Sequence, residues 1–237
     1  MAFLDLPRRR LVPELMDTLP VDYAEFRTCL RHLEAINRAT GAYRPTLRWL
    51  DRVAARHGAE RPLRVLDAGA GHGDMLRRIA ARAARRGVAV ELTGVDRNPW
   101  SARAAREAAP DGPPIRWLTA DLFALPEEER PDVIISSLFA HHLDDAQVVA
   151  FLRWMEGRAR LGWFINDLHR HAVPLAAVRA AVAVLPVSRL VVHDAPVSVA
   201  RAFTRADWLR LLAEAGLEGV ARVEWFAPFR LCVGRIR

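Results

Sequence analysis

The sequence predicts an α/β fold with a mainly parallel sheet wound on both faces by helices. Two observations carry this. Short β-rich runs alternate with helical segments once Arg61-Pro62 is passed, and a glycine-rich turn closes the first of those runs. Such alternation requires crossover connections, and these build parallel sheets.

Two amphipathic helices come first. From Tyr23 to Ala39, Tyr23, Phe26, Leu30, Leu33 and Ile36 recur at helical spacing, and Gly41 supplies a left-handed stop. A second helix opens at Pro45, whose fixed φ suits a first helical turn, carries Leu47, Leu50, Val53 and Ala54 on one face, and ends near Gly58. The predicted strands are 63–68, 88–96, 115–119, 132–137 and 163–166, with helices over 74–86, 99–108 and 144–158 between them. Thr204 and Asp207 read as a capping box for a helix that stops at Gly216. Two further runs, 220–226 and 230–236, flank Pro228 and predict an antiparallel hairpin. The organisation expected is a helical extension or cap over residues 1–60 and an α/β domain over 61–237. Within it, 167–203 forms a long irregular connection, with one helix between Val173 and Leu185, of the kind used as an acceptor-side lid.

Composition narrows the class. The 237 residues are 51% hydrophobic and 27% charged, a globular balance. A net charge of +7 raises the question of nucleic acid. Yet every basic residue is arginine and they are dispersed, so Arg8-Arg9-Arg10 and the run 82–86 read as solvated faces. Two distant cysteines, Cys29 and Cys232, predict neither a disulfide framework nor a metal site. The longest apolar stretch, 172–187, is broken by Arg179 and Pro186, so no membrane span and a cytoplasmic protein are expected.

The chemical signal lies in Val65-Leu-Asp-Ala-Gly-Ala-Gly-His-Gly-Asp74. Gly69, Gly71 and Gly73 alternate through a turn between strand and helix, where the backbone must approach a ligand or take positive φ. A dinucleotide cradle wants glycine where this chain has Asp74, and a negative charge there opposes a pyrophosphate. Asp96 ends the second strand, where a carboxylate can accept ribose hydroxyls, and Asp121 follows the third.

The acidic residue before the glycines, Asp67, and the D-x-G-x-G-x-G spacing resemble the first motif of class I S-adenosylmethionine-dependent methyltransferases. Ser136-Ser-Leu-Phe-Ala-His-His-Leu143 resembles the His-His-Leu segment of the small-molecule members. Together with Asn37-Arg38, Tyr43 to Thr46, Asn166 to His171 and His193 to Val199, it is similar to bacterial methyltransferases associated with polyketide-type pathways. The resemblance implies a Rossmann-like, seven-stranded, mostly parallel sheet and S-adenosyl-L-methionine as cofactor. It implies that Asp67, Gly69, Ala70, Gly71 and Gly73 hold it from the first strand and Asp96 and Arg97 from the second. Ala120, Asp121 and Leu122 would follow from the third, and Ser137 and Leu138 from the fourth.

The acceptor implied is a small molecule, foremost a phenolic, enolic or polyketide-like oxygen, with carbon methylation of a quinone or isoprenoid as the alternative. More remote are a noncatalytic adenosyl-binding protein and an NAD-dependent oxidoreductase. His169 is the first candidate for a general base, followed by His142 and His141, with Asp167 orienting His169 or binding the acceptor. Arg44 is a candidate for an anionic group of cofactor or acceptor. Trp154, Trp163, Trp208 and Trp225 are expected in the core. Homodimerisation through the N-terminal helices is left open.

Overall fold

A computed structural model describes residues 6, 8–18, 20–58 and 60–237. Residues 1–5, 7, 19 and 59 of the expected N-terminal extension lie outside the described residues. A short helix α1 (Leu15–Thr18) is followed by α2 (Tyr23–Ala39) and α3 (Arg44–His57). Asp22 caps α2 by accepting the Glu25 amide, and α3 carries Pro45 in its first turn.

The α/β part then runs β1 (Leu63–Ala68), α4 (Asp74–Arg86), β2 (Val90–Asp96), α5 (Pro99–Glu107), β3 (Ile115–Thr119), β4 (Val133–Ser137), α6 (Asp145–Arg158) and β5 (Gly162–Leu168). It ends with α7 (Ala172–Val184), α8 (Arg189–Arg201), α9 (Arg205–Glu214), β6 (Arg222–Phe226) and β7 (Arg230–Ile236). The seven strands form one sheet in the order β3-β2-β1-β4-β5-β7-β6, with β7 antiparallel to both neighbours. The predicted capping box is present, with Thr204 and Asp207 satisfying each other's backbone amides.

Each sheet face is buried by its own set of helices. On one, Trp49, Leu50 and Val53 of α3 and Met75, Leu76 and Ile79 of α4 pack on Val65, Val133, Ile135 and Phe164. On the other, Phe151, Leu152 and Met155 of α6 and Trp208, Leu211 and Leu212 of α9 pack on Leu66, Ile134, Trp163 and Ile165. Alternation of β-strand side chains supplies both faces from the same runs. Helix α2 does not reach the sheet; it leans Phe26 and Leu30 on Ala104 of α5, and Cys29 on Leu190 and Val191 of α8.

Three expectations need correction. The connection 167–203 is not irregular: it begins as strand and continues as two helices, α7 and α8. Strand β5 runs on through Asp167 and Leu168 because these pair with Leu231 and Arg230 of β7. Arg9 is not a solvated residue; its guanidinium bonds Asp145, the carbonyls of His141 and Leu143, and that of Arg201, and stacks on Phe203. Trp225, expected in the core, is 51% exposed at the hairpin, whereas Trp163 and Trp208 are fully buried. Among the described residues no helix is long and apolar enough to cross a membrane.

Phe151 is fully buried, edge-on to Phe139 and stacked with Trp154. Replacing it by alanine removes a buried ring and leaves a cavity between its neighbours, so Phe151→Ala is expected to lower unfolding free energy by about 3–5 kcal/mol. Urea denaturation with an unchanged m-value checks this.

Candidate functional site

The carboxyl ends of β1, β2, β4 and β5 converge on one edge of the sheet. At β1 the chain turns sharply: Gly69 and Ala70 both donate to the Val95 carbonyl (2.9 and 3.0 Å), and Gly73 donates to that of Ala70 (2.8 Å). Gly69, Gly71 and Gly73 have φ of +74°, +51° and +71°, a region costly for other residues. Their uses differ. A Cβ on Gly69 would lie 2.5 Å from the Phe139 ring and one on Gly73 only 2.2 Å from Trp117, so both are required by packing. A Cβ on Gly71 would meet nothing within 4 Å, so its freedom serves the open side of the turn.

The N-terminal helices brace this turn. Tyr43 donates its hydroxyl to Asp74 (2.5 Å), while Glu34 of α2 accepts from the His72 ring (2.6 Å) and from Arg77 (2.8 Å). Neither Tyr43 nor Glu34 stands out in the sequence as part of the turn; only the fold brings them to it.

The expected acidic residues follow along the edge. Asp67 is buried with Oδ1 unpartnered, and its carboxyl is pushed well above the ordinary range by burial and by the charges of Asp74 and Asp96. Asp96 accepts the Gly71 amide on one oxygen (2.8 Å) and the Asn98 amide on the other (2.9 Å), leaving each with further accepting capacity. Burial raises its pKa, opposed by those amides, by Ser101 and by the charge of His142 facing it. Ala120 donates its amide to the Asp96 carbonyl, joining the ends of β2 and β3. Asp121 is exposed and accepts the Phe123 amide, Leu122 is buried behind it, and Arg97 points outward. Ser137 has a buried, unpartnered hydroxyl, and Leu138 has a φ of +56° with its amide on the Asn166 carbonyl.

The acceptor-side expectations change more. Asp167 does not orient His169. It is fully buried and accepts from the His141 ring (2.7 Å), the His141 amide (3.0 Å) and the Leu168 amide (2.7 Å). The reason is the extended backbone: with β5 running through Leu168 no local turn folds residue 169 back onto 167, and the β4–α6 connection brings His141 to Asp167 instead. His141, buried between Asp167 and Glu14, has its pKa raised to about 9 because the two carboxylates outweigh burial. His142 bonds Asp17 (2.8 Å), which places its ring against α1. His169 packs beside His171 and Phe229 with Nδ1 buried and unpartnered, and burial lowers its pKa, aided by His171 and Arg170. Arg44 is exposed and lines an outer cleft with Arg38, Arg78 and Arg85, away from the strand ends. A second cleft, between Ala105 and Trp117, is also remote from this edge.

The buried cation at the edge is Arg230, unmarked by any sequence motif. It is 5% exposed, its guanidinium makes no hydrogen bond or ion pair among the described residues, and burial lowers its pKa. Eight buried side-chain polar atoms among the described residues lack a partner, and five of them lie along this edge: Asp67 Oδ1, Ser137 Oγ, Asn166 Oδ1, His169 Nδ1 and Arg230 Nη1. Unpaired buried polar groups each cost about 1–3 kcal/mol, so their concentration at one edge marks a place completed by a ligand.

Residues 65–160 match the family described as a methyltransferase domain. That segment contains the glycine turn, Asp96, Asp121 and the His141-His142 turn. Solved structures extend the likeness. A magnesium protoporphyrin IX methyltransferase from Synechocystis PCC 6803, with S-adenosylhomocysteine bound, superposes with a TM-score of 0.54 at 15% identity, over 84% of this chain and 83% of its own. A candidate O-methyltransferase from Nostoc punctiforme PCC 73102 gives 0.64 at 15% identity, over 98% and 65%. The methyltransferase (CMeT) domain of the citrinin polyketide synthase gives 0.59 at 16% identity, over 81% and 52%. At such identities the likeness is one of fold, and the Rossmann-like sheet expected from the sequence is borne out. So is the expected class, an S-adenosylmethionine-dependent methyltransferase. Among curated proteins, none matches the sequence significantly.

The two kinds of glycine in the methyltransferase turn can be separated by mutation. Gly73→Ala adds a clash with Trp117 to the positive-φ penalty, whereas Gly71→Ala incurs the φ penalty alone. Strain of about 1–3 kcal/mol per such residue is expected. Thermal unfolding should show Gly73→Ala as clearly the less stable of the two.

Proposed function

We propose that this methyltransferase moves the methyl group of S-adenosylmethionine to the oxygen of a small phenolic, enolic or polyketide-like acceptor. The observation that carries the reading is the row of unpartnered polar atoms at the strand ends, from the acidic Asp67 of β1 through Ser137 of β4 and Asn166 of β5 to the cationic Arg230 of β7.

The residues fit the donor. Asp67, Asp74 and Asp96 make an acidic wall that disfavours phosphate and suits a ligand bearing a sulfonium and an ammonium group, whose positive charge would favour the ionised form that burial opposes at Asp67 and Asp96. Asp96 takes the ribose hydroxyls with the oxygen capacity its two amide bonds leave free, and Gly71 lets the backbone lie against the ligand. Ala120, Asp121 and Leu122 border the adenine, with Arg97 at its rim. Asp67, Gly69, Ala70, Gly73, Ser137 and Leu138 border the methionine part.

When bound, S-adenosylmethionine supplies an electrophilic methyl group; the S–C bond breaks as the O–C bond forms, leaving the thioether. The protein's part is positioning and proton transfer. His169 holds a bare, buried imidazole nitrogen and receives the acceptor's proton. Arg230 faces the resulting oxyanion, a group that an unpaired buried guanidinium favours. Carbon methylation of a quinone or isoprenoid would use the same donor wall; the citrinin-synthase likeness is shared fold and does not decide between them. The helices before residue 61 and the segment 167–203 serve as cap and lid over this edge. Two buried free cysteines, their thiols pushed up by burial, suit a reducing, cytoplasmic setting.

Two outcomes test the reading. Removing the charged acceptor in Asp96→Ala is expected to cost about 1.5–3 kcal/mol, or roughly 10- to 150-fold in S-adenosylhomocysteine affinity by calorimetry. Normal binding would place the donor elsewhere. In a screen of phenols, pyrones and quinones read by mass spectrometry, His169→Ala and Arg230→Met should each lower turnover by about 10²-fold or more while leaving S-adenosylhomocysteine affinity within a few-fold. Methylation at carbon would reject oxygen as the acceptor atom, and unchanged turnover in both variants would remove His169 and Arg230 from the roles given to them.

A further inference from the structure

Two imidazoles and three carboxylates meet where the N-terminal segment crosses the turn between β4 and α6. We propose that Glu14, His141 and His142 form a binding site for a divalent transition-metal ion of the Zn²⁺ type.

The geometry is set by which nitrogen is already occupied. His141 Nδ1 is bonded to Asp167 (2.7 Å) and His142 Nδ1 to Asp17 (2.8 Å). Both Nε2 atoms are thereby turned toward one carboxylate: His141 Nε2 lies 3.5 Å from Glu14 Oε1, and His142 Nε2 lies 3.8 Å from Glu14 Oε2. These separations exceed the usual N–H···O range of about 2.7–3.2 Å. They lie close to the ligand–ligand edge of about 3.3–3.4 Å that bonds of about 2.0–2.1 Å give around a tetrahedral ion. The three residues offer donor atoms within 4.8 Å of one another.

The surroundings are those of a metal centre. A ligating histidine characteristically donates its other nitrogen to a carboxylate, which fixes the tautomer and aims the free lone pair. Here both histidines do so. Ser198 donates to Glu14 Oε1 (2.7 Å), and Arg201 holds the carbonyls of His141 (3.0 Å) and His142 (2.7 Å), so the ligands are fixed from behind. Glu14 and His141 are almost wholly buried, while the His142 side chain is 22% exposed, which leaves one side for entry. Two imidazoles and one carboxylate favour zinc, cobalt or iron over magnesium or calcium, and three protein ligands leave a position open for an oxygen ligand.

The test uses the full-length, untagged chain, stripped with chelator and titrated with Co²⁺ and then Zn²⁺. One equivalent of Co²⁺ should bind with the visible d–d absorption of a four-coordinate nitrogen–oxygen site, and Zn²⁺ should displace it. His142→Ala and Glu14→Gln should each weaken binding at least about tenfold, and Asp17→Asn, at an exposed position, should weaken it measurably. His57→Ala should leave it unchanged. Circular dichroism confirms that each variant is folded. Absence of stoichiometric Co²⁺ binding, or binding indifferent to both His142→Ala and Asp17→Asn, overturns the proposal. Calorimetry with S-adenosylhomocysteine on the same metal-free samples reports on the donor site separately, so failure of one reading is distinguishable from failure of the other.

Discussion

Asp167 sits at the end of β5 with no access to water, and an ionised carboxylate in that position must be satisfied by protein. It takes two bonds from His141 and one from the amide of Leu168. Those bonds tie the β4–α6 turn to the sheet. His141 in turn reaches Glu14, and Glu14 is held by Ser198 of α8, so one buried carboxylate connects the sheet edge, the turn, the N-terminal segment and α8. Arg9 and Arg201 complete the junction by filling backbone carbonyls of the same turn, and Arg9 also pairs with Asp145. Losing any member would leave another buried and unpaired, a cost of several kcal/mol.

The local devices were legible because each is short-range. Positive φ at Gly69, Gly71 and Gly73, the Thr204–Asp207 capping box and the strand runs of β1, β3 and β7 all depend on residues within a few positions, and the observed bounds follow the predicted ones. What escaped was long-range. Helix α8 carries Pro196 in its interior and buries Asp194 and Arg201 along with its apolar residues, so no clean apolar stripe announces it. Glu14 and Arg9 lie more than a hundred positions from the groups they bind, and nothing local marks a carboxylate that will end beside two histidines.

The candidate site divides in the same way. Its donor half is built by consecutive strand–turn units, so Asp67, Asp96 and Asp121 appear in order along the chain. The acceptor half is assembled across the sheet, from β5, β7 and the N-terminal segment. Reading Asp167 as the partner of His169 followed from their closeness in sequence. Extending β5 by two residues, through pairing with β7, gave Asp167 to His141 and left the His169 ring with its nitrogen free. Arg230 was hidden because an arginine at the start of an edge hairpin looks solvated until the hairpin is known to pair with the central sheet.

The distribution of charge along this edge bears on the proposed chemistry. Acidic groups dominate at β1 and β2, and at β7, among the described residues, lies a buried guanidinium without a partner. A sulfonium donor and an oxyanion acceptor are each stabilised by the wall beside them, so the two reactants are bound at opposite ends with the right polarity. Transfer of the methyl group between them neutralises both charges. In water such a reaction is held back by the hydration the ions must give up; in a closed site that hydration is already replaced by fixed groups, and little reorganisation remains at the moment of transfer. The products, a neutral thioether and a neutral ether, no longer match the walls. Asp67 is then again a carboxyl whose ionised form burial disfavours, and Arg230 again lacks a counter-charge, which favours release and readmission of charged reactants.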